Sequence, residues 1–388
     1  MKSHLNPSRS TRGMAVAPHS LAAQSAVAVM REGGNAVEAM IAAAATIAVV
    51  YPHMNGIGGD GFWLIARPGK EPVGIEGCGA AASAATIDLY RSAGLSTIPF
   101  RGGFAANTVA GTVSGWDAAH KWSTDHLSGH LPLPRLLSDA IELARNGIPV
   151  TQSQADCVLT KRAELSRIAG FADTFLPGGQ GPLAGELFKQ LRMADTLEQL
   201  ARAGFDDFYR GDLAASIAKD LRKAGSPLSI SDFQSHIALR VKPLVLKHSL
   251  GKIYNMPPPT QGLVSLLILG QLDRILRKGM RPDSAEFVHA CVEATKLAFA
   301  IRDANITDPR YMGIDPQDLL DTAKLDRMAD QISFVQAAAW RPGKGPADTV
   351  WMGAIDRDGV TVSFIQSIYH EFGSGVVLES SGINWQNR

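Results

Sequence analysis

Residues 39–51 read AMIAAAATIAVVY, an apolar run without a single charge. It is too short to cross a bilayer, which takes about 20 apolar residues. The run therefore has to be buried inside a folded protein, and the expectation is a helix enclosed by other structure. Its many alanines suit close packing of that helix against a sheet. Asn35 stands just ahead as an N-cap. HSLAAQSAVAVMREGG (19–34) reads as a preceding helix closed by the C-cap pair Gly33-Gly34.

The rest of the chain mixes helices and strands. After YPHMN come the glycines of GIGGDG (56–61), then strands FWLIA and EPVGIEGC on either side of a Pro68-Gly69 turn. Residues 133–147 form an amphipathic pattern, and DTLEQLARAG and DLAASIAKDLRKAG are two more helices ending in glycine. ISDFQSH is expected to open a short helix with Ser231 as N-cap. Strands follow in LRVKPLVLKHSLGKIYNM, closed by Pro257-Pro258-Pro259, and residues 283–305 carry apolar residues at helical spacing. Residues 337–348 read as a linker. Hairpin signals outnumber βαβ signals, so the fold class is α+β rather than a doubly wound parallel sheet.

Composition excludes several functions. A formal net charge of +1 over 388 residues provides no field for nucleic acid or an anionic membrane. Cys78, Cys157 and Cys291 are too far apart for a CxxC metal pair or a disulfide framework. No HExxH spacing occurs among the histidines, and no metal site is expected. The polar start MKSHLNPSRSTRGM contains no signal peptide, so the expected location is a reducing cytoplasm.

GIGGDG matches GxGxxG through Gly56, Gly58 and Gly61, but a dinucleotide fold needs a strand before the glycines and a helix after them. Here the helix precedes and the strand follows. The loop instead reads as a place where backbone comes close to something else, and His53 beside it is a candidate substrate contact. VAGTVSGW contains Ser114 without the GxSxG spacing of a nucleophile elbow.

The most informative stretch comes late, in KGPADTVWMGAIDRDGVTVSFIQS (344–367). VWMGAI and VTVSFIQS flank a four-residue hairpin loop, Asp356 to Gly359. If Ile355 faces Val360, Thr349 falls beside Gln366 and Ser367, and two hydroxyls meet at one end of the hairpin. A threonine hydroxyl needs a base to become a nucleophile. Cutting the chain before Thr349 would supply one, its own α-amine, with a pKa of about 8. The alternative is a hairpin that merely starts after a loop.

Several segments together resemble the γ-glutamyltransferase family of N-terminal-nucleophile hydrolases. They are residues 32–62 (EGGNAVEAMIAAAATIAVVYPHMNGIGGDGF), VAGTVSGW, DAIELARNGIPV, DTLEQLARAGFDDFYRG, YNMPPPTQG, VEATKLAFAIRD, ADTVWMGAIDRDG and FGSGVVLESSGI. The resemblance implies an αββα sandwich with additional large-subunit helices and a proenzyme that cleaves itself between Asp348 and Thr349. Residues 1–348 would then be the large subunit, and 349–388 the start of a small subunit whose oxyanion-hole residues lie beyond Arg388. Thr349 would be the nucleophile and Ser367 the hydroxyl that assists it. No cofactor is implied, and a homodimer of processed heterodimers is compatible with the pattern.

Two departures bear on substrate. Cys78, in IEGCG, stands where the family's carboxylate-binding arginine would be, and a thiol cannot make a bidentate carboxylate bond. Tyr369 replaces an asparagine after the assisting hydroxyl and narrows the pocket. YHEFGSG and INWQNR are similar to the branch that hydrolyses a very small amide acid, oxamate, to oxalate and ammonia. Tyr369, His370 and Arg388 are then the expected carboxylate contacts. The alternatives are a γ-glutamyl hydrolase or transferase with a remodelled pocket, and an unprocessed, non-catalytic homologue.

Overall fold

The computed structural model describes residues 8–277, 279–340 and 349–387. The chain divides into two compact units, one of Met1–Glu71, Ile75–Arg240 and Ala347–Arg388, the other of Pro72–Gly74 and Val241–Pro346.

The first unit is built on a sheet. Its strands are β1 (Gly13–Val16), β2 (Asp60–Ala66), β3 (Val73–Gly77), β4 (Leu239–Val241), β7 (Val350–Asp356) and β8 (Thr361–Ser367), in the order β1-β7-β8-β2-β3-β4. The pairs β1–β7, β7–β8 and β8–β2 are antiparallel. Helices α1 (Ser20–Arg31) and α2 (Ala36–Val50) lie where the alanine-rich sequence predicts them. Every residue of α2 is buried. It packs on β7, β8, α1, α3 (Thr112–Leu127) and α4 (Leu133–Asn146), and its alanines permit that crowding. Its N-terminus is fixed three ways. Asn35 Oδ1 accepts from the Val37 and Glu38 amides, Glu38 returns the bond to Asn35 N, and Asp356 Oδ2 accepts from Ala36 N at 3.0 Å. Helices α5 (Leu191–Ala203) and α6 (Asp212–Lys223) complete the unit's longer helices named in the sequence. The short helix Ile230–Ser235 is capped by Ser229, not Ser231, because Asp232 at its third position closes a capping box with Ser229.

The second unit is a hairpin of β5 (Leu244–His248) and β6 (Gly251–Asn255) packed with α7 (Gly262–Ile275) and α8 (Ala285–Asn305). Leu244, Leu246, Leu263, Leu266, Leu267, Ala298 and Leu325 form its core.

The mixed helix-and-sheet class is as expected. Strand alternation sends Val350, Met352, Ala354, Val362 and Phe364 toward α2. The opposite face carries Met14, Val16, Trp351, Ile355 and Ile365, all exposed. The large sheet has six strands, and the other sheets among the described residues are two-stranded.

The hairpin register corrects the sequence expectation by one residue. Asp356, not Ile355, pairs with Val360, through a 3.0 Å bond from Asp356 N to the Val360 carbonyl. The loop has three residues, ending on Gly359 at φ 80°. Asp356 is held in the strand because its carboxylate also accepts from the amides of Asp358 and Val360.

Candidate active site

With the corrected register, Val350 pairs with Gln366, which puts Thr349 at the level of Ser367. The Thr349 hydroxyl donates to Ser367 Oγ at 3.3 Å. Thr349 is exposed while Ser367 is 1% exposed. Ser367 Oγ also accepts from the Tyr369 amide at 2.9 Å. An oxygen already accepting from an N–H has its own proton to offer, and the neighbour able to take it is an oxygen on Thr349 that has lost its proton.

The strand that carries Ser367 is fixed from beneath. Asp60, 1% exposed, lies opposite it in the ladder, and its Oδ1 accepts from Gly79 N, Gly111 N and Gln386 Nε2. The glycine loop does bring backbone close, as its sequence suggests. A Cβ on Gly59 would lie 2.2 Å from the Ser367 carbonyl oxygen, and one on Gly58 would lie 2.3 Å from that of Asn384. Gln366 faces α2. It accepts from Trp116 Nε1, donates to the Ala44 carbonyl and to Asn55 Oδ1, and its carbonyl takes the Asn55 amide. Cys78, half-buried, precedes Gly79 at this floor, against the start of α3.

Beyond Ser367 the chain enters a tight loop with Tyr369 at φ 78° and Phe372 at φ 59°, left-handed values that side chains resist. The His370 amide donates to Asn387 Oδ1, and its ring meets Phe100 edge-on. Burial, and then the Arg101 charge, lower the His370 pKa and favour the neutral imidazole. His53 lies under the loop, 2% exposed, between the rings of Tyr51 and Phe372. Its carbonyl accepts from Phe372 N at 2.7 Å, and burial pushes its imidazole pKa down to about 4. The structure thus brings Thr349, Ser367 and Tyr369 together, with His370 next in the loop and His53 beneath it. Asp348 and Arg388 lie outside the described residues.

Sequence reasoning missed Asp60, Asn55, Gln366 and Asn387. The signals were there for two of them: an aspartate directly after a glycine pair, and a glutamine at an inward strand position. Ser114 is no elbow. Its hydroxyl donates to the Gly111 carbonyl and sits 2.7 Å from His236 Nε2, both residues being buried. Among the described residues no group of His, Cys, Asp and Glu is arranged to hold a metal ion, and no helix is long and apolar enough to cross a membrane.

Residues 22–388 match the family model for gamma-glutamyltranspeptidase. The chain is 56% identical over 379 residues to an oxamate amidohydrolase proenzyme of Klebsiella pneumoniae, covering 98% of this chain and 71% of that protein. It is 30% identical to a glutathione hydrolase proenzyme of Escherichia coli, over 99% of this chain and 67% of that one. Among solved structures it is similar to a cephalosporin acylase of Bacillus halodurans, with a TM-score of 0.88 and 32% identity over 100% of this chain and 72% of that one. A gamma-glutamyltranspeptidase of Helicobacter pylori aligns with a TM-score of 0.78 and 28% identity over 86% and 95% of the two chains. By motif, fold and alignment, the chain belongs to the gamma-glutamyltranspeptidase family of N-terminal-nucleophile hydrolases.

Proposed function

We propose that the chain is a proenzyme cut between Asp348 and Thr349, and that the freed Thr349 hydrolyses a small amide acid, with oxamate as the substrate. The observation that carries this reading is the hydrogen bond between Thr349 and Ser367 at the very start of a strand. The α-amine of Thr349 takes the hydroxyl proton as Oγ attacks the amide carbonyl, then returns it to the departing ammonia. Water cleaves the resulting ester, releasing oxalate and restoring the hydroxyl. Ser367 donates to the Thr349 oxygen while that oxygen carries negative charge. Tyr369, His370 and Arg388 contact the substrate carboxylate, and His53 supports that contact from under the loop. The similarity to the Klebsiella oxamate amidohydrolase supports this substrate, as does a cysteine where a γ-glutamyl enzyme would carry an arginine. The working unit is the pair of fragments from one chain, and its site is the cytoplasm.

The test is denatured intact mass followed by ammonia release. Two fragments meeting at Thr349, with ammonia released from oxamate, are the expected result. Cleavage of γ-glutamyl anilides in place of oxamate would favour the γ-glutamyl hydrolase reading. An uncut chain without amide turnover would leave a non-catalytic homologue.

A further inference from the structure

The loop after Ser367 is held by one side chain that the chemistry above does not use. Arg101 is only 11% exposed at its side chain, so its charge must be satisfied by fixed partners. Nε donates to Glu164 Oε1 at 2.7 Å. Nη1 donates to the Glu371 carbonyl at 2.8 Å and to the Gly373 carbonyl. Lys161 lies between Glu164 (3.9 Å) and Glu371 (3.6 Å) and completes a closed set of charges. The neighbouring backbone acts in the same sense, since Gly102 N donates to the Ser374 carbonyl and the Phe100 carbonyl accepts from Asn387 Nδ2. All of this closes on a segment with four left-handed residues, Tyr369, Phe372, Gly373 and Gly375. Left alone, Tyr369 and Phe372 would relax to negative φ, and the turn that aims the Tyr369 amide at Ser367 Oγ would open.

We propose that Arg101 is a positioning residue for the catalytic pair, clamping the 369–375 loop through the Glu371 and Gly373 carbonyls so that Tyr369 N–H stays on Ser367 Oγ. This rests on the proposed function for its kinetic consequence, but its structural content can be measured separately. A guanidinium suits the task because its fork reaches an ion partner and two carbonyls in one plane, which an ammonium on a flexible stem does not reproduce.

The experiment compares wild type, Arg101→Ala and Arg101→Lys in the processed protein. Hydrogen exchange of peptides covering 369–375 reads the clamp. Turnover of oxamate, with and without added guanidinium ion, reads positioning. Faster exchange in the loop is expected in both variants. A fall in kcat approaching about 10²-fold, the size of effect that an ångström-scale misplacement causes, is expected, with a rise in KM because Tyr369 and His370 ride on the same loop. Guanidinium is expected to restore part of kcat in Arg101→Ala, whereas a general folding defect would worsen with it. If Arg101→Ala does not fold, Arg101→Lys, which keeps a cation for Glu164, carries the test. Unchanged loop exchange overturns the proposal, and so does faster exchange with unaltered kcat. If wild type itself turns over no small amide, the proposed function falls, and loop exchange alone then decides the clamp.

Discussion

Gly59 and Ser367 are in backbone contact: the Cβ that Gly59 lacks would lie 2.2 Å from the Ser367 carbonyl oxygen. No side chain fits there without moving the strand that carries Ser367. Gly59→Ala is therefore expected to cost roughly 1–3 kcal/mol, the usual range for overpacking, and to reduce turnover along with stability. A urea midpoint equal to wild type would show that the loop yields without moving Ser367.

Ser367→Ala should leave the fold nearly intact and lower kcat. It removes the acceptor of the Thr349 hydroxyl, the group that in the proposed mechanism donates back once the Thr349 oxygen is charged, and leaves the Tyr369 amide without its acceptor. A hydrogen bond to a charged oxygen is worth about 1.5–3 kcal/mol, so a loss of about tenfold to a hundredfold in kcat is expected. Equal kcat in the variant, measured by ammonia release, would remove Ser367 from the mechanism.

Gln366 is the polar centre beneath the hairpin, and its side chain satisfies Trp116, Ala44 and Asn55 at once. Gln366→Leu strands a buried indole N–H and an amide oxygen, and takes a second donor from the Ala44 carbonyl, which keeps its helical bond. At about 1–3 kcal/mol for each unsatisfied group, the variant should be among the most destabilising single changes in this unit. A denaturation midpoint within error of wild type would mean that water or a rotated Asn55 takes over.

Two buried imidazoles set an acid limit on stability. Burial lowers both His53 and His236 from 6.5 to about 4, with Arg210 adding to the effect at His236. The unfolded chain then binds protons that the folded chain refuses, so stability is complete above pH 6.5 and falls as pH drops toward 4. Each group accounts for about 3 kcal/mol over that window. Urea midpoints at pH 7.5 and 4.5 measure the loss, and His236→Asn should remove its share. Midpoints that do not change with pH would mean that both rings protonate freely in the folded state.

Much of this was legible in the chain because the controlling interactions are local. Asn35 and Glu38 cap α2 within one helical turn, the alanine run demands burial, and the Asp-Gly pair closes a hairpin whose first strand starts at Val350, directly after Thr349. Those features determine the helices, the hairpin and the two hydroxyls at its end. Tertiary structure decided the rest. The register differs by one residue because Asp356 stays in the strand, held by the nearby Asp358 and Val360 amides and also by the Ala36 amide, a partner 320 positions away along the chain. Asp60, Gln386 and Arg101 entered the site for the same reason. Their partners lie far off in sequence, and a hydrogen bond between distant segments exists only once the core has brought those segments together. Local propensity can place a cap or a turn, but which carbonyl a buried guanidinium meets is settled by packing.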